Sequence, residues 1–467
     1  MKGIIWVLVI GMFLTTTNGL LSTNNVVATS TNDLSHCFSQ GPGDIIANIS
    51  GLPACACLAP IDYNNDGYTD FIAGTLYQIF LYVNENGKYH PWLIYELPDR
   101  NGYSDDITGG GVTVGDFNND GFQDFITGGL QGIIRLFTNH PSLSFRPKFD
   151  VSVITEFGQV ADGLTCKDFN KDGNLDFAVS YADSPLTHST ISIYFNDGNG
   201  RFPEHKDVYT LDYDYITSLD SADYNNDGNN DLIFSYSICN QQSQNIYGVT
   251  YILFNDGNNN FNNATLIVKR GSGIPGDPEG RINPHTTSAD YDKNGSIDLI
   301  IGDNSGKIEI FENNGNGNFT SIGIINDFGS CSWGLASADF NKDGDIDFLV
   351  AADFETPHGR IYLKHNLLVP FSIQKPQERH LYILDRAVFH HLHNTIVLGK
   401  ITIEINQQKE LNKVEFYVDN KLKYIDYNQS YQWQWDSKDP GRHTIEIITY
   451  DGEGNTVEKE MTAWKFF

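Results

Sequence analysis

Six stretches of this 467-residue chain repeat one nine-residue pattern, D-x-[ND]-x-[DN]-G-x-x-D, with oxygen side chains at positions 1, 3, 5 and 9 and glycine at position 6. They start at Asp62, Asp116, Asp168, Asp223, Asp290 and Asp339. Alternate residues of such a loop turn inward while the glycine makes the sharp turn, an arrangement that surrounds a hard cation with oxygens. Ca2+ accepts about six to eight oxygens at roughly 2.3–2.6 Å, whereas Mg2+ prefers a strict octahedron and keeps its water. Ca2+ is therefore the expected ion, at about six sites.

The expected side-chain ligands of the first loop are Asp62, Asn64, Asp66 and Asp70, with the Tyr68 carbonyl at position 7 and water completing the shell. The second loop offers Asp116, Asn118, Asp120 and Asp124 with the Phe122 carbonyl, and the third Asp168, Asn170, Asp172 and Asp176 with Asn174. The fourth offers Asp223, Asn225, Asp227 and Asp231 with Asn229. In the fifth, Asp290, Asp292, Asn294 and Asp298 with Ser296, amide and carboxylate are exchanged between positions 3 and 5. The sixth offers Asp339, Asn341, Asp343 and Asp347 with Asp345. Asp, Asn and Gly also make good turns without metal, but six repetitions of the same four oxygen positions weigh against turn-making alone. An EF-hand would need Glu at position 12 and flanking helices; the residues there include Ala73, Thr127 and Val179, and the flanks read as strands.

Those flanks repeat too. A short alternating strand precedes each loop, as in 112–115, and a second begins on the last Asp, as in 298–302. A third ends in Asn or a turn, as at Asn196 and Asn255, and a fourth opens near Phe202, Phe261 or Phe319. Alternation, aromatic and β-branched enrichment and Gly/Asn/Asp turns agree on β-structure. The loop starts are 54, 52, 55, 67 and 49 residues apart, the size of a four-stranded propeller blade. The sixth unit has no fourth strand of its own, and a segment of that kind, 37–49, stands near the N-terminus. The expectation is an all-β fold: a β-propeller of six blades closed by that strand, with seven as the alternative count, followed by a small Ig-like β-sandwich.

Charge agrees with a cation-binding ring. The chain carries 59 Asp+Glu against 30 Lys+Arg, a formal net charge of −29, and residues 1–374 hold 45 of those acids and 18 of the bases. Nucleic acid is thus not an expected partner. Clustered carboxylates repel without metal, so ion binding and ring stability are expected to be coupled. Residues 1–20 read as a secretory signal, with Lys2 before the apolar run from Ile4 to Leu14, and 21–35 as an unstructured lead-in. No other run is long enough for a transmembrane helix. Six cysteines in an exported chain permit disulfides, but the spacing selects no pairing.

The six loops resemble the acidic loops of the FG-GAP/VCBS repeat family, whose blades form propellers similar to those of integrin α-subunits. Over 36–374 the resemblance implies calcium in the loop joining the first two strands of each blade. It also implies ligand binding on the opposite face. Residues 375–467 are nearly neutral and read as an antiparallel sandwich, with strands at 396–405, 413–418, 421–425, 431–435, 443–449 and 456–462. The run 414–419, Trp433, Trp435, Asp436, 440–444 and 450–455 resembles bacterial and archaeal Ig-like domains, which implies a spacer or adhesion unit.

The first functional reading is a secreted or cell-surface calcium-binding adhesion or ligand-binding protein, expected to be monomeric, with a carbohydrate or protein ligand. Candidate ligand residues are Tyr103, Asp105, Asp106, Tyr213, Asp214, Tyr215, Arg281, His285 and Trp333, which precede the innermost strands. The second reading is a polysaccharide lyase or hydrolase built on a propeller. It finds little support: neither G-x-S-x-G nor HExxH occurs. The cluster His390, His391 and His393 could hold a transition metal, although a solvated linker is the simpler account.

Overall fold

The computed structural model describes residue 38 and residues 43–466, apart from 51–54, 76–77, 97–110, 130–131, 141–146, 158–159, 183–187, 213, 241–244, 263, 271–283, 330–331, 333, 353–357, 367–370, 378–379, 390–393, 408–410, 429 and 451–455. Among the described residues every regular element is a β-strand. The expected signal segment, the lead-in and the histidine cluster at 390–393 lie outside them.

The repeats build six four-stranded antiparallel sheets, each with its strands in order from first to fourth. Blade 1 is Cys55–Ile61, Asp70–Thr75, Gln78–Glu85 and Lys88–Glu96. Blade 2 is Val112–Gly115, Asp124–Thr127, Ile133–Asn139 and Phe149–Glu156. Blade 3 is Ala161–Lys167, Asp176–Ala182, His188–Phe195 and Glu204–Asp212. Blade 4 is Tyr215–Ala222, Asp231–Asn240, Asn245–Leu253 and Thr265–Arg270. Blade 5 is His285–Ala289, Asp298–Gly302, Lys307–Asn313 and Phe319–Asp327.

Blade 6 takes Gly334–Ala338, Asp347–Ala352 and His358–Lys364 from its own repeat and its outer strand, Asp44–Ser50, from the start of the propeller. This strand covers an edge that would otherwise present unpaired backbone groups. First strands touch first strands from blade to blade, and blade 6 meets blade 1. The ring is therefore closed.

Burial follows position in the blade. Second strands are covered on both faces and are buried throughout in Asp70–Thr75, Asp124–Thr127 and Asp347–Ala352, which accounts for their unbroken apolar runs. Fourth strands alternate between half-buried and exposed, as in Lys88–Glu96. Apolar side chains from adjacent blades interdigitate. Phe125 and Phe137 of blade 2 pack with Ile72 and Ile79 of blade 1, and Phe71 and Tyr82 of blade 1 pack with Phe340 and Leu349 of blade 6. Within a blade, the aromatic that follows the last loop Asp stacks on the third strand: Phe71 on Tyr82 with centroids 4.6 Å apart, Phe125 on Phe137 at 4.4 Å.

The segment 235–248 is largely a hairpin extension. Asp231–Asn240 and Asn245–Leu253 stay in register out to Asn240↔Asn245, because alternation of β-formers continues past the usual blade length.

The C-terminal part is a sandwich whose first strand, Phe371–Lys375, pairs with Ile401–Gln407, itself paired with Gln432–Trp435. Opposite lies a seven-stranded sheet in the order Arg386–Phe389, Leu381–Ile383, Thr395–Leu398, Thr456–Phe466, Gly441–Tyr450, Lys413–Val418 and Lys421–Asp426. Trp435, Phe416, Val414, Ile445 and Ile447 fill the space between the sheets. Two details differ from the sequence reading. The stretch 396–405 is two strands in different sheets, divided at Gly399, whose φ of 89° turns the chain. The larger sheet is also not wholly antiparallel, since Thr395–Leu398 runs parallel to both its neighbours.

Candidate metal loops

Each acidic loop joins the first strand of a blade to the second. The residue before position 1 pairs across the base with position 9: Ile61↔Asp70, Gly115↔Asp124, Lys167↔Asp176, Ala222↔Asp231, Ala289↔Asp298 and Ala338↔Asp347. The ninth residue thus belongs to a buried strand, while positions 4 to 6 are exposed in all six loops and position 3 is buried at Asp292 of the fifth.

Backbone N–H groups hold the loop oxygens in place. In the first loop Asp62 accepts from the N–H of Asp66 at 3.1 Å and of Gly67 at 2.9 Å. Asn64 Oδ1 accepts from Asp66 N–H at 3.1 Å, and Asp66 Oδ1 from Tyr68 N–H at 2.8 Å. The same four bonds recur in the other five loops. Gly67, with φ of 75°, and its five counterparts adopt the left-handed conformation that lets the N–H groups of positions 5 and 6 face one carboxylate. Each bonded oxygen keeps a second lone pair.

Position 9 is the most demanding. Asp70, Asp124, Asp176, Asp231, Asp298 and Asp347 are all fully buried. In each, Oδ2 accepts from the N–H of position 2, as from Tyr63 to Asp70 at 3.2 Å, and Oδ1 from an Asn N–H near the end of the third strand, as from Asn84 at 2.7 Å. Burial pushes the Asp70, Asp124 and Asp231 carboxyls up to about 7, Asp176 to about 6 and Asp298 to about 8. The backbone donors pull these values down, and the carboxylates at other loop positions raise them again. Asp347 is also raised by burial, with His365 opposing at 3.6 Å.

In the fifth loop, carboxylate oxygens of Asp290, Asp292 and Asp298 all lie within 4.8 Å of one another. A hard divalent cation fits this donor set, since it would be met by three converging carboxylates and would balance their charge. The sixth loop departs in carrying Asp345 at position 7, its carboxylate 2.5 Å from Lys293 Nζ of the fifth.

A further set of residues completes these sites. Asn84, Asn139, Asn196, Asn313 and Asn366 sit at or just past the ends of third strands, buried, with their N–H groups on position 9. Their Nδ2 groups donate to the position-2 carbonyl of the preceding loop: Phe340, Tyr63, Phe117, Tyr224 and Tyr291 at 2.7–3.1 Å. Asn255 instead donates to Asn230 of its own blade. The recurrence of Asn at this place is visible in the sequence; its partner across the blade boundary is not.

Of the candidate ligand residues, Tyr103, Asp105, Asp106, Tyr213, Arg281 and Trp333 lie outside the described residues. Asp214 and Tyr215 stand at the start of the first strand of blade 4, and His285 opens that of blade 5, the end remote from the acidic loops. All three are partly buried. The two strands are joined by Thr217 Oγ1 donating to Pro284 O at 3.3 Å and by a 3.0 Å contact between the Ser218 and Thr286 hydroxyls. His285 also lines a central channel of about 350 Å³ bounded by the first strands of all six blades. The channel wall is rich in paired hydroxyls, including Thr165 with Ser221 at 2.6 Å and Thr287 with Ser337 at 2.9 Å. Burial pushes the Asp220 carboxyl up to about 6 and the His285 imidazole down to about 4.

Residues 62–127, 116–179, 168–234 and 290–350 match the FG-GAP-like repeat, each match running from one acidic loop through the next, and residues 393–447 match a bacterial Ig domain. No curated protein is matched. Among solved structures, the extracellular domain of a putative one component system from B. thetaiotaomicron is 8% identical, covering 92% of this chain and 59% of that one with a TM-score of 0.35. The Dos1 propeller is 10% identical over 66% of this chain and 77% of that one, TM-score 0.37. The fibronectin(III)-like modules of Clostridium thermocellum CbhA are 15% identical over 21% and 94%, TM-score 0.17. The repeat matches reach all six acidic loops and half of the residues, so the chain belongs to the FG-GAP-like repeat family, with a bacterial Ig domain following its propeller.

Proposed function

We propose that this protein is an extracellular adhesion or ligand-binding module whose propeller is held together by calcium in its six acidic loops. The observation that carries the calcium reading is the fully buried Asp at position 9 of every loop, surrounded by further carboxylates and, at Asp347, facing His365 as well. Side-chain oxygens of positions 1, 3, 5 and 9 and the carbonyl of position 7 would hold the ion. Calcium supplies charge compensation there, and the chain supplies the shape through backbone N–H groups that fix the oxygens.

Ligand binding is assigned to the face remote from the loops, where Asp214, Tyr215 and His285 stand on adjacent inner strands. Aromatic rings beside carboxylates suit sugar rings or polar peptide segments, so the ligand is a carbohydrate or an extracellular protein. The apolar segment from Ile4 to Leu14 supports export, and among the described residues no helix is long and apolar enough to cross a membrane. Thermal unfolding across a calcium titration, with bound metal counted on the same sample, tests the metal reading. Six ions per chain and a rising transition temperature are expected; no bound calcium and an unshifted transition would overturn it. Glycan-array binding with and without EDTA tests the ligand reading.

A further inference from the structure

Position 4 of every acidic loop lies in the left-handed backbone region: Asn65, Asn119, Lys171, Asn226, Lys293 and Lys342 have φ between 54° and 62°. Asparagine accepts this conformation readily, whereas lysine does not. All six side chains leave their own loop and reach the next blade. Asn65 Nδ2 donates to Gly121 O of loop 2 at 2.7 Å, and Asn119 Nδ2 to Asn174 Oδ1 of loop 3 at 3.0 Å. Lys171 Nζ donates to Asn229 Oδ1 of loop 4 at 2.6 Å. Asn226 Nδ2 donates to Gly315 O at 3.3 Å, in a turn of blade 5 so close that a Cβ on Gly315 would stand 3.0 Å from Ser296 Oγ of loop 5. Lys293 Nζ pairs with Asp345 of loop 6. Lys342 Nζ closes the cycle on loop 1, 3.4 Å from Asp66 O and 3.2 Å from the centre of the Tyr68 ring.

We propose that these six residues are latches that couple ion binding between neighbouring loops, so that calcium loads cooperatively around the ring. The proposal rests on the calcium reading of the loops. Position 4 stands between two ligand positions, 3 and 5, so an ion in its own loop fixes the backbone that aims the latch. Four latches end on the side chain of position 7 in the next loop, Asn174, Asn229, Asp345 and Tyr68. The other two end on Gly121 O, directly before position 7, and on the turn beside Ser296. Position 7 is the residue whose carbonyl would face the ion. Filling one loop therefore orders the carbonyl ligand of the next, and by reciprocity the next orders the first.

Exposed hydrogen bonds and ion pairs contribute little to stability singly. A strained lysine backbone held in place three times over for so small a gain points to a task other than stability. The buried asparagines bind the same neighbours in the opposite direction, from the third strand of one blade to position 2 of the preceding loop. Loops 1, 2, 4 and 6 are thus gripped from both sides, loop 3 by the latch of loop 2 and loop 5 by Asn366, and in a closed ring no loop is terminal.

The test is a direct calcium-binding titration of the full chain, with bound ions counted, for the wild type and for a variant with all six position-4 residues changed to glycine. Glycine keeps the positive φ and removes only the latch. The wild type is expected to bind six ions with a Hill slope above 1, and the variant six ions with a slope of about 1. Should the sixfold variant not fold, the double variant Asn119→Gly with Lys171→Gly, which removes both latches of loop 3 and leaves the Asn230 Nδ2 bond to Asp168 O in place, is expected to show a lowered slope. Six bound ions with an unchanged slope, or a wild-type slope of 1, would overturn the latches and leave the calcium reading standing. Absence of bound calcium in the wild type would overturn both.

Discussion

Asn139 of blade 2 donates its Nδ2–H to the backbone carbonyl of Tyr63, 2.7 Å away in the acidic loop of blade 1. Its backbone N–H simultaneously donates to Asp124 Oδ1 at 2.8 Å in the loop of its own blade. One buried residue, through its side chain and its backbone N–H, therefore ties two candidate metal loops together.

Asn139→Ala removes the bond to Tyr63 and leaves that carbonyl without its donor. A loss of about 1–3 kcal/mol is expected, read as a lower urea midpoint with an unchanged slope. Asn255→Ala, whose Nδ2 bonds only within its own blade, should cost less. Equal losses would show that the inter-blade bond has no special weight.

Asp120→Ala takes the position-5 carboxylate from the second loop, where it is exposed. The count of bound calcium should fall from six to five per chain, and the rise in melting temperature on adding calcium should shrink. In the metal-free protein the same change removes one of the charges that raise the Asp124 carboxyl, so the variant should melt at or above the wild type in EDTA. Metal counting and paired melting curves check both.

His285 gives a pH signature. Burial lowers its imidazole from 6.5 to about 4, so above pH 6.5 the folded and unfolded forms are both neutral. As pH falls from 6.5 to 4 the unfolded chain takes up a proton that the folded chain refuses, and stability is lost over that window. The His285→Asn variant lacks this term. Its unfolding free energy should therefore fall less between pH 7.5 and pH 4.5, by about 1–3 kcal/mol. Parallel slopes for the two proteins would show that the imidazole titrates normally in the fold.

Gly111→Ala probes how closely the inner strands approach. A Cβ there would lie 2.4 Å from Asp162 O and 2.7 Å from Leu164 N of blade 3, both backbone atoms. Backbone cannot swing aside as a flexible side chain can, and overpacking of this kind costs about 1–3 kcal/mol. Gly121→Ala meets no atom within 4 Å but sits at φ 88°, so its cost is backbone strain alone. Chemical unfolding of both variants separates packing from strain.

The nine-residue pattern by itself determined the loops, because ligand order within a short loop is set by backbone periodicity and by a glycine at one place. It also determined the β-class, the repeat length and the borrowed outer strand of blade 6, each of which rests on a pattern within one repeat or on its absence. Tertiary structure decided what lies between repeats. Asn139 meets Tyr63 and Lys293 meets Asp345 only because the blades pack side by side in a closed ring. The same packing buries position 9 and so raises its carboxyl, an effect of surroundings absent from the loop sequence. In the sandwich, the division of 395–407 at Gly399 between two sheets followed the hydrogen-bond partners on offer, which periodicity does not encode. Local spacing fixes what one segment can do, and closure of the ring and pairing of the sheets fix which segments do it together.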